Sequence, residues 1–245
     1  MALHQCEGEA MIVHDVLQGT PAWLKLRLGI PTASSFHKII TPVTGAPSKQ
    51  AEAYRYELLA ELAAGRPLEA LTDKYNLPWL VRGNALEDQA VRFYAFQKDI
   101  EPVKVGFCTT DDGRIGASPD RMVGDRGLAE FKCPAPQTQI KYLLYGKLED
   151  AYRPQLQGQL YVTERDWNDI CAFSEDLESV IIRVERDDEY IAKLAGLLNE
   201  FCDKLSEERA VMEARGYIHE IEEPEPHGDF DVTDEDVSRI YAQSE

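Results

Sequence analysis

Residues 118–134 read SPDRMVGDRGLAEFKCP, and the fold turns on how the last seven of them are paired. Side chains alternate along a strand, so Ala129, Phe131 and Cys133 fall on one face while Glu130 and Lys132 project together from the other. Alone, Glu-x-Lys describes a surface ion pair, which contributes little. The upstream residues change its meaning. Asp120 follows Ser118-Pro119 at the end of one candidate strand, and the turn-rich run before Gly127 brings the chain back, so Asp120, Glu130 and Lys132 meet at one edge of a sheet. Two carboxylates and an ammonium so placed suit metal-assisted phosphodiester hydrolysis. Mg²⁺ takes one or two protein carboxylates and keeps open positions for water and phosphate, and an ammonium beside that water stabilises developing charge.

Working outward, three candidate strands (103–108, 113–118 and 127–133) form an antiparallel meander by their loop lengths. Apolar spacing predicts helices over 50–64, ending at Gly65, and over 84–97, with Glu87 in the first turn of the second, where an acid suits the helix dipole. A short helix at 23–28 and another entered from the hydroxyl-rich Thr32, Ser34 and Ser35 precede them. Beyond the meander lie helices at 137–146 and 151–163, strands at about 168–174 and 179–185, and a long amphipathic helix from Asp187. The expected class is α/β (α+β): a central mixed sheet flanked by helices, as one domain over 1–215, with 216–245 as an acidic arm.

The net charge of −18 argues against a generic nucleic-acid binder, but its distribution is uneven. Residues 202–245 hold 14 acidic against 4 basic side chains, ten of the eighteen excess negative charges, so a basic groove in the remainder is compatible with the total. Five scattered cysteines without a C-x-x-C spacing give no support to disulfides, a zinc knot or a cysteine-held cluster, and His14 and His37 have no partner at ligand spacing. No G-x-x-x-x-G-K-[ST] occurs, so no ATP requirement is expected. There is no apolar run near about 18 residues and no signal-peptide pattern, which makes a soluble cytoplasmic chain without membrane contact the expectation.

The D-x9-E-x-K pattern on a hairpin, preceded by a helix bearing an acid, resembles the PD-(D/E)xK nuclease superfamily with its restriction-endonuclease-like core. SPD…EFKCP is most similar to the lambda exonuclease (YqaJ-type) branch. GTPAWLKLRLGIPTAS, RGNALEDQA and QLQGQLYVT resemble the same family in the same order, spanning about residues 19–165.

The resemblance implies Asp120 and Glu130 as metal ligands with the main-chain carbonyl of Phe131, Lys132 as the catalytic lysine, Glu87 as a contributor to a second metal, and Gln157 as an active-site glutamine. A polar helix surface is the other reading of Gln157. Arg27, Ser34 and Ser118 are similar to a pocket for a terminal 5′-phosphate, a chemistry that a guanidinium fork and hydroxyls also suit on their own. Thr32 and Ser35 read as helix caps. Leu80 is similar to a position that parts the duplex end, with buried core as its alternative. The resemblance further implies a 5′-to-3′ exonuclease on linear duplex ends that leaves 3′ single strands for recombination. Its cofactor would be Mg²⁺, with Mn²⁺ able to substitute, at two ions per site. A ring-shaped homotrimer, a single-strand annealing partner and a phage or prophage origin in a bacterial cytosol complete the expectation. An endonuclease of the same fold and a non-catalytic DNA-end module are the competing readings.

Overall fold

The computed structural model describes residues 11–68 and 78–218. In chain order the elements are β1 (Ile12–His14), α1 (Pro21–Leu26), a 3-10 turn (Ala33–Lys38), α2 (Ala51–Ala64), α3 (Pro78–Lys98), β2 (Val103–Lys104), β3 (Phe107–Thr109), β4 (Gly116–Ala117), β5 (Arg121–Val123), β6 (Gly127–Lys132), α4 (Pro136–Tyr145), a second 3-10 turn (Asp150–Tyr152), α5 (Arg153–Thr163), β7 (Trp167–Ala172), β8 (Val180–Glu185) and α6 (Asp188–Ala214).

The central sheet is mixed, in the order β2-β5-β6-β7-β8. β6 and β7 run parallel, with Glu130 opposite Ile170 and Lys132 opposite Ala172, while the other pairs are antiparallel. A parallel pair needs a crossover, and here α4, the second 3-10 turn and α5 supply it. A smaller antiparallel sheet, β1-β3-β4, packs beside it.

The expected single meander is therefore divided between two sheets. The run 103–108 breaks because other backbone crosses it: a Cβ on Gly106 would lie 2.3 Å from the Val16 carbonyl oxygen, so only glycine admits the approach. The hairpin partner of β6 is β5, whose three residues sit inside the stretch read as a turn. β3 pairs instead with β4 and with β1, an element the sequence did not signal. Helix α3 starts at Pro78, so Glu87 lies in its third turn and the dipole argument does not apply to it.

Both faces of β6 are covered, as its parallel neighbour requires. Ala129 and Phe131 pack with Ala90 and Tyr94 of α3, the Phe131 and Tyr94 rings meeting edge to face at 5.7 Å. On the other face Leu128 packs with Leu160 of α5 and Ile191 of α6. The largest core joins α2 and α6 to the first 3-10 turn through Tyr54, Leu58, Leu194, Phe201, Phe36 and Ile40, and Ile218, past the end of α6, is also buried there. Packing therefore continues beyond 215, while residues 219–245 lie outside the described part. Helix α5 fits between the sheet and the 3-10 turn because residue 158 is glycine: a Cβ there would meet the Phe36 ring at 2.3 Å. Cys108, Cys171 and Cys202 are buried and take part in no disulfide.

Candidate active site

β5 pairs with β6 only as far as Ala129, opposite Arg121. Glu130, Phe131 and Lys132 run on past it, bordered by β7 on one side and open on the other. Asp120, the residue just before β5, fills this notch, and its Oδ2 accepts the Phe131 backbone N–H at 2.8 Å. N–H and C=O of one strand residue point the same way, so the Phe131 carbonyl is directed to Asp120's side, whereas the Lys132 carbonyl accepts from Phe173 N beyond β7. Two carboxylates and one carbonyl thus border one notch. This is an all-oxygen set of the kind a hard divalent cation takes.

Glu130 is only 2% exposed, and three side chains donate to it: Lys132 Nζ at 2.9 Å and Gln155 Nε2 at 2.7 Å to Oε1, and Gln159 Nε2 at 2.9 Å to Oε2. Burial and the Glu130 charge push the Asp120 carboxyl up to about 8, against the opposing influence of Lys132 and the Phe131 N–H. Burial pulls the Lys132 ammonium down, but Glu130 and Asp120 together outweigh it and hold its pKa above the usual lysine value. With both carboxylates ionised, the site would hold one more negative charge than Lys132 offsets, an excess that together with burial raises Asp120. A divalent cation between Asp120 and Glu130 fits that excess.

Two expected residues are placed otherwise. Gln157 donates to the Glu185 carbonyl at 2.9 Å and accepts from Asp187 N at 2.8 Å, tying α5 to the start of α6. Two residues along a helix is about 200° of rotation, so Gln155 and Gln159, four apart, share the face that meets Glu130 and Gln157 cannot. QLQGQ contains all three; only the phase of the helix selects among them. Glu87 bonds Arg121 Nη2 at 3.0 Å, and Arg121 Nη1 also donates to the Asp120 carbonyl at 2.7 Å. Its charge still raises Asp120, but among the described residues no three Asp, Glu, His or Cys side chains converge to hold a metal. The side chain of Leu80 lies outside the described residues.

Two residues before Asp120, Ser118 belongs to a second cluster. Its Oγ accepts Trp23 Nε1 at 3.0 Å and Arg27 Nη1 at 3.4 Å, and Arg27 Nη2 reaches Thr32 Oγ1 at 3.4 Å, itself 3.4 Å from Ser34 Oγ. The Arg27 guanidinium lies over the Trp23 ring at 4.0 Å. Arg27, Ser34 and Ser118 are thus brought together. Thr32 stands at the N-cap of the 3-10 turn without a capping bond, and its hydroxyl serves the arginine instead. A cleft of about 420 Å³ opens beside them, lined also by Lys38, Tyr54 and Glu61. The linking segment is pinned by Gln18, whose Nε2 donates to the carbonyls of Pro119 and Val105, each at 2.9 Å.

The YqaJ-like viral recombinase domain matches residues 22–166, more than half of the chain. The chain belongs to that family. The crystal structure of an alkaline exonuclease, LHK-Exo, from Laribacter hongkongensis aligns at a TM-score of 0.68 and 29% identity, covering 80% of this chain and 98% of that one. LHK-Exo in complex with dAMP gives 0.69 and 30% over the same shares. A phage-related exonuclease from Haemophilus somnus 129PT shares the fold at 0.51 and 18%, covering 73% of this chain and 96% of that one. Comparison with curated proteins found no match. The fold is the restriction-endonuclease-like core of this family, and no described helix is long and apolar enough to cross a membrane.

Proposed function

We propose that this YqaJ-family protein is a nuclease acting on DNA, and more narrowly a Mg²⁺-dependent 5′-to-3′ exonuclease on linear double-stranded ends. Membership of a viral recombinase family and likeness to the alkaline exonuclease LHK-Exo support the broad statement. One observation supports the part of the narrower statement that concerns a metal site next to a strand end. The carboxylate notch lies two residues from a cleft that gathers an arginine and three hydroxyls, so a terminal phosphate and a scissile phosphate have adjacent places to bind.

Asp120, Glu130 and the Phe131 carbonyl would hold the metal, which when bound neutralises phosphate charge and acidifies a water. Lys132 keeps a proton on Nζ beside that position and stabilises negative charge developing at the reacting phosphate. Arg27, Ser34, Ser118 and Thr32 bind the terminal phosphate and fix how far the strand enters. A second ion would draw on Glu87, which must then leave Arg121. Polarity, Mn²⁺ substitution, a homotrimeric ring, a single-strand annealing partner and action in a bacterial cytosol belong to the proposal on family resemblance alone.

The test is digestion of linear duplex carrying a label at one defined end, with Mg²⁺ and without ATP. Mononucleotides released first from 5′ ends, closed circles left intact and no digestion by Lys132→Ala are the expected results. Cleavage of closed circles would make the protein an endonuclease of the same fold. Release starting from 3′ ends would overturn the polarity.

A further inference from the structure

Behind Glu130 runs a chain of buried amides that ends in an unsatisfied oxygen. Gln159, 1% exposed, donates Nε2 to Glu130 Oε2 at 2.9 Å, and its Oε1 accepts Asn168 Nδ2 at 2.7 Å. Asn168 is fully buried, and among the described residues its Oδ1 has no hydrogen-bond partner. The chain stands on regular elements: Gln159 on α5, where its carbonyl also accepts the Thr163 hydroxyl at 2.7 Å, and Asn168 on β7 opposite Leu128 of β6.

An amide can be turned end for end at almost no cost in shape, so packing alone does not set the direction of this chain. Charge at one end does. A reversed Gln159 would present Oε1 to the carboxylate, and its Nε2 would face a donor from Asn168 unless that amide reversed as well. The Glu130 carboxylate therefore fixes Gln159 as a donor, Gln159 fixes Asn168 as a donor, and the mismatch is displaced to the far end at Asn168 Oδ1. Among the described residues a buried oxygen is left without a partner there, while the amide contacts nearer the notch are all made.

We infer that Gln159 and Asn168 are positioning residues, a one-directional relay that fixes the Glu130 carboxylate for the metal. Oε2 is held from α5 by the relay. Oε1 is shared by Lys132 and Gln155, so a cation held by Glu130 would compete with those two donors and not with the relay. The inference rests on Glu130 being a metal ligand, as proposed above.

Mn²⁺ binding to the full chain without DNA, followed by titration calorimetry, tests it alongside thermal unfolding in chelator. Gln159→Met removes the donor at similar volume, and Asn168→Asp keeps the shape but turns the only donor into an acceptor. Each is expected to weaken Mn²⁺ binding roughly ten- to a hundredfold, the usual effect of losing a partner behind a metal ligand. The double variant should bind no more weakly than Gln159→Met, because Asn168 acts only through Gln159. Where Asn168→Asp does not fold, Asn168→Leu makes the same comparison. Wild-type affinity in a folded Gln159→Met, or losses that add in the double variant, would overturn the relay. Asp120→Asn separates the two levels. If it binds Mn²⁺ as wild type does, the metal site is misassigned and the relay falls with it; if it loses binding while Gln159→Met does not, the relay alone fails.

Discussion

At Glu130 both carboxylate oxygens are taken by donors at 2.7 to 2.9 Å from three side chains, whereas around Arg27 its contacts with Ser118 and Thr32 stand at 3.4 Å beside an open cleft. The carboxylate is held on both oxygens at ordinary hydrogen-bond lengths, whereas the contacts of the guanidinium with these two hydroxyls are long. A metal ligand must be oriented in advance, because a small octahedral ion tolerates little deviation. On the proposed function, the pocket around Arg27 would have to admit and release a terminal phosphate at each step, and long contacts that tighten onto phosphate oxygens would serve that exchange.

The comparison can be broken most severely at the notch. Lys132→Ala and Asp120→Ala should each lower the single-turnover rate on linear duplex by at least about a hundredfold, the scale of losing a charge-stabilising or proton-handling group. A smaller loss would mean that the notch is not where hydrolysis occurs. Arg27→Ala should act differently. Its loss should fall mainly on 5′-phosphorylated ends, by roughly ten- to a hundredfold for a charge-assisted bond, and bring them down to the rate of 5′-hydroxyl ends. Equal losses on both ends would show that the arginine supports the fold and not a phosphate.

The Asp120 carboxyl, held at about 8, lies above the ordinary carboxylate range near 4. The folded, metal-free protein therefore binds that proton more tightly than the unfolded chain. Its contribution to stability is complete below about pH 4 and is lost as pH rises through about 8. A metal competes with the same proton, so the Tm difference between excess Mg²⁺ and chelator should widen from pH 6 to pH 8. Asp120→Asn should remove the widening. The smallest effect sharpens the link between the two regions through α5: Gly158→Ala forces a Cβ onto the Phe36 ring and should cost about 1–3 kcal/mol, read as a lowered Tm.

How much of this was legible varied with the kind of signal. Glu130, Lys132 and Asp120 could be placed because strand alternation and one reversal of the chain suffice to bring them together. β5 was hidden because its three residues sit among glycines and charges that read as a turn, and the break at Gly106 depends on backbone arriving from residues 14–16. The glutamines fail for another reason. Gln155, Gln157 and Gln159 are alike in type and alternate in position, so only the rotation of a helix buried on nearly every side tells which of them meet Glu130. For Glu87 it is the helix-dipole reading that fails, because the helix starts nine residues earlier, at Pro78.

Ser118, Pro119 and Asp120 make one more consequence visible. The proline holds the residue before it extended, Gln18 clamps its carbonyl, and the span from Ser118 to Asp120 is at most roughly 7 Å of chain. On the proposed function, end recognition and cleavage would be joined by a covalent gauge and not by two domains that close on each other. On the proposed reading, the size of the released product is set by the length of three residues of backbone, and lengthening that gauge by a single residue would change what each bite removes.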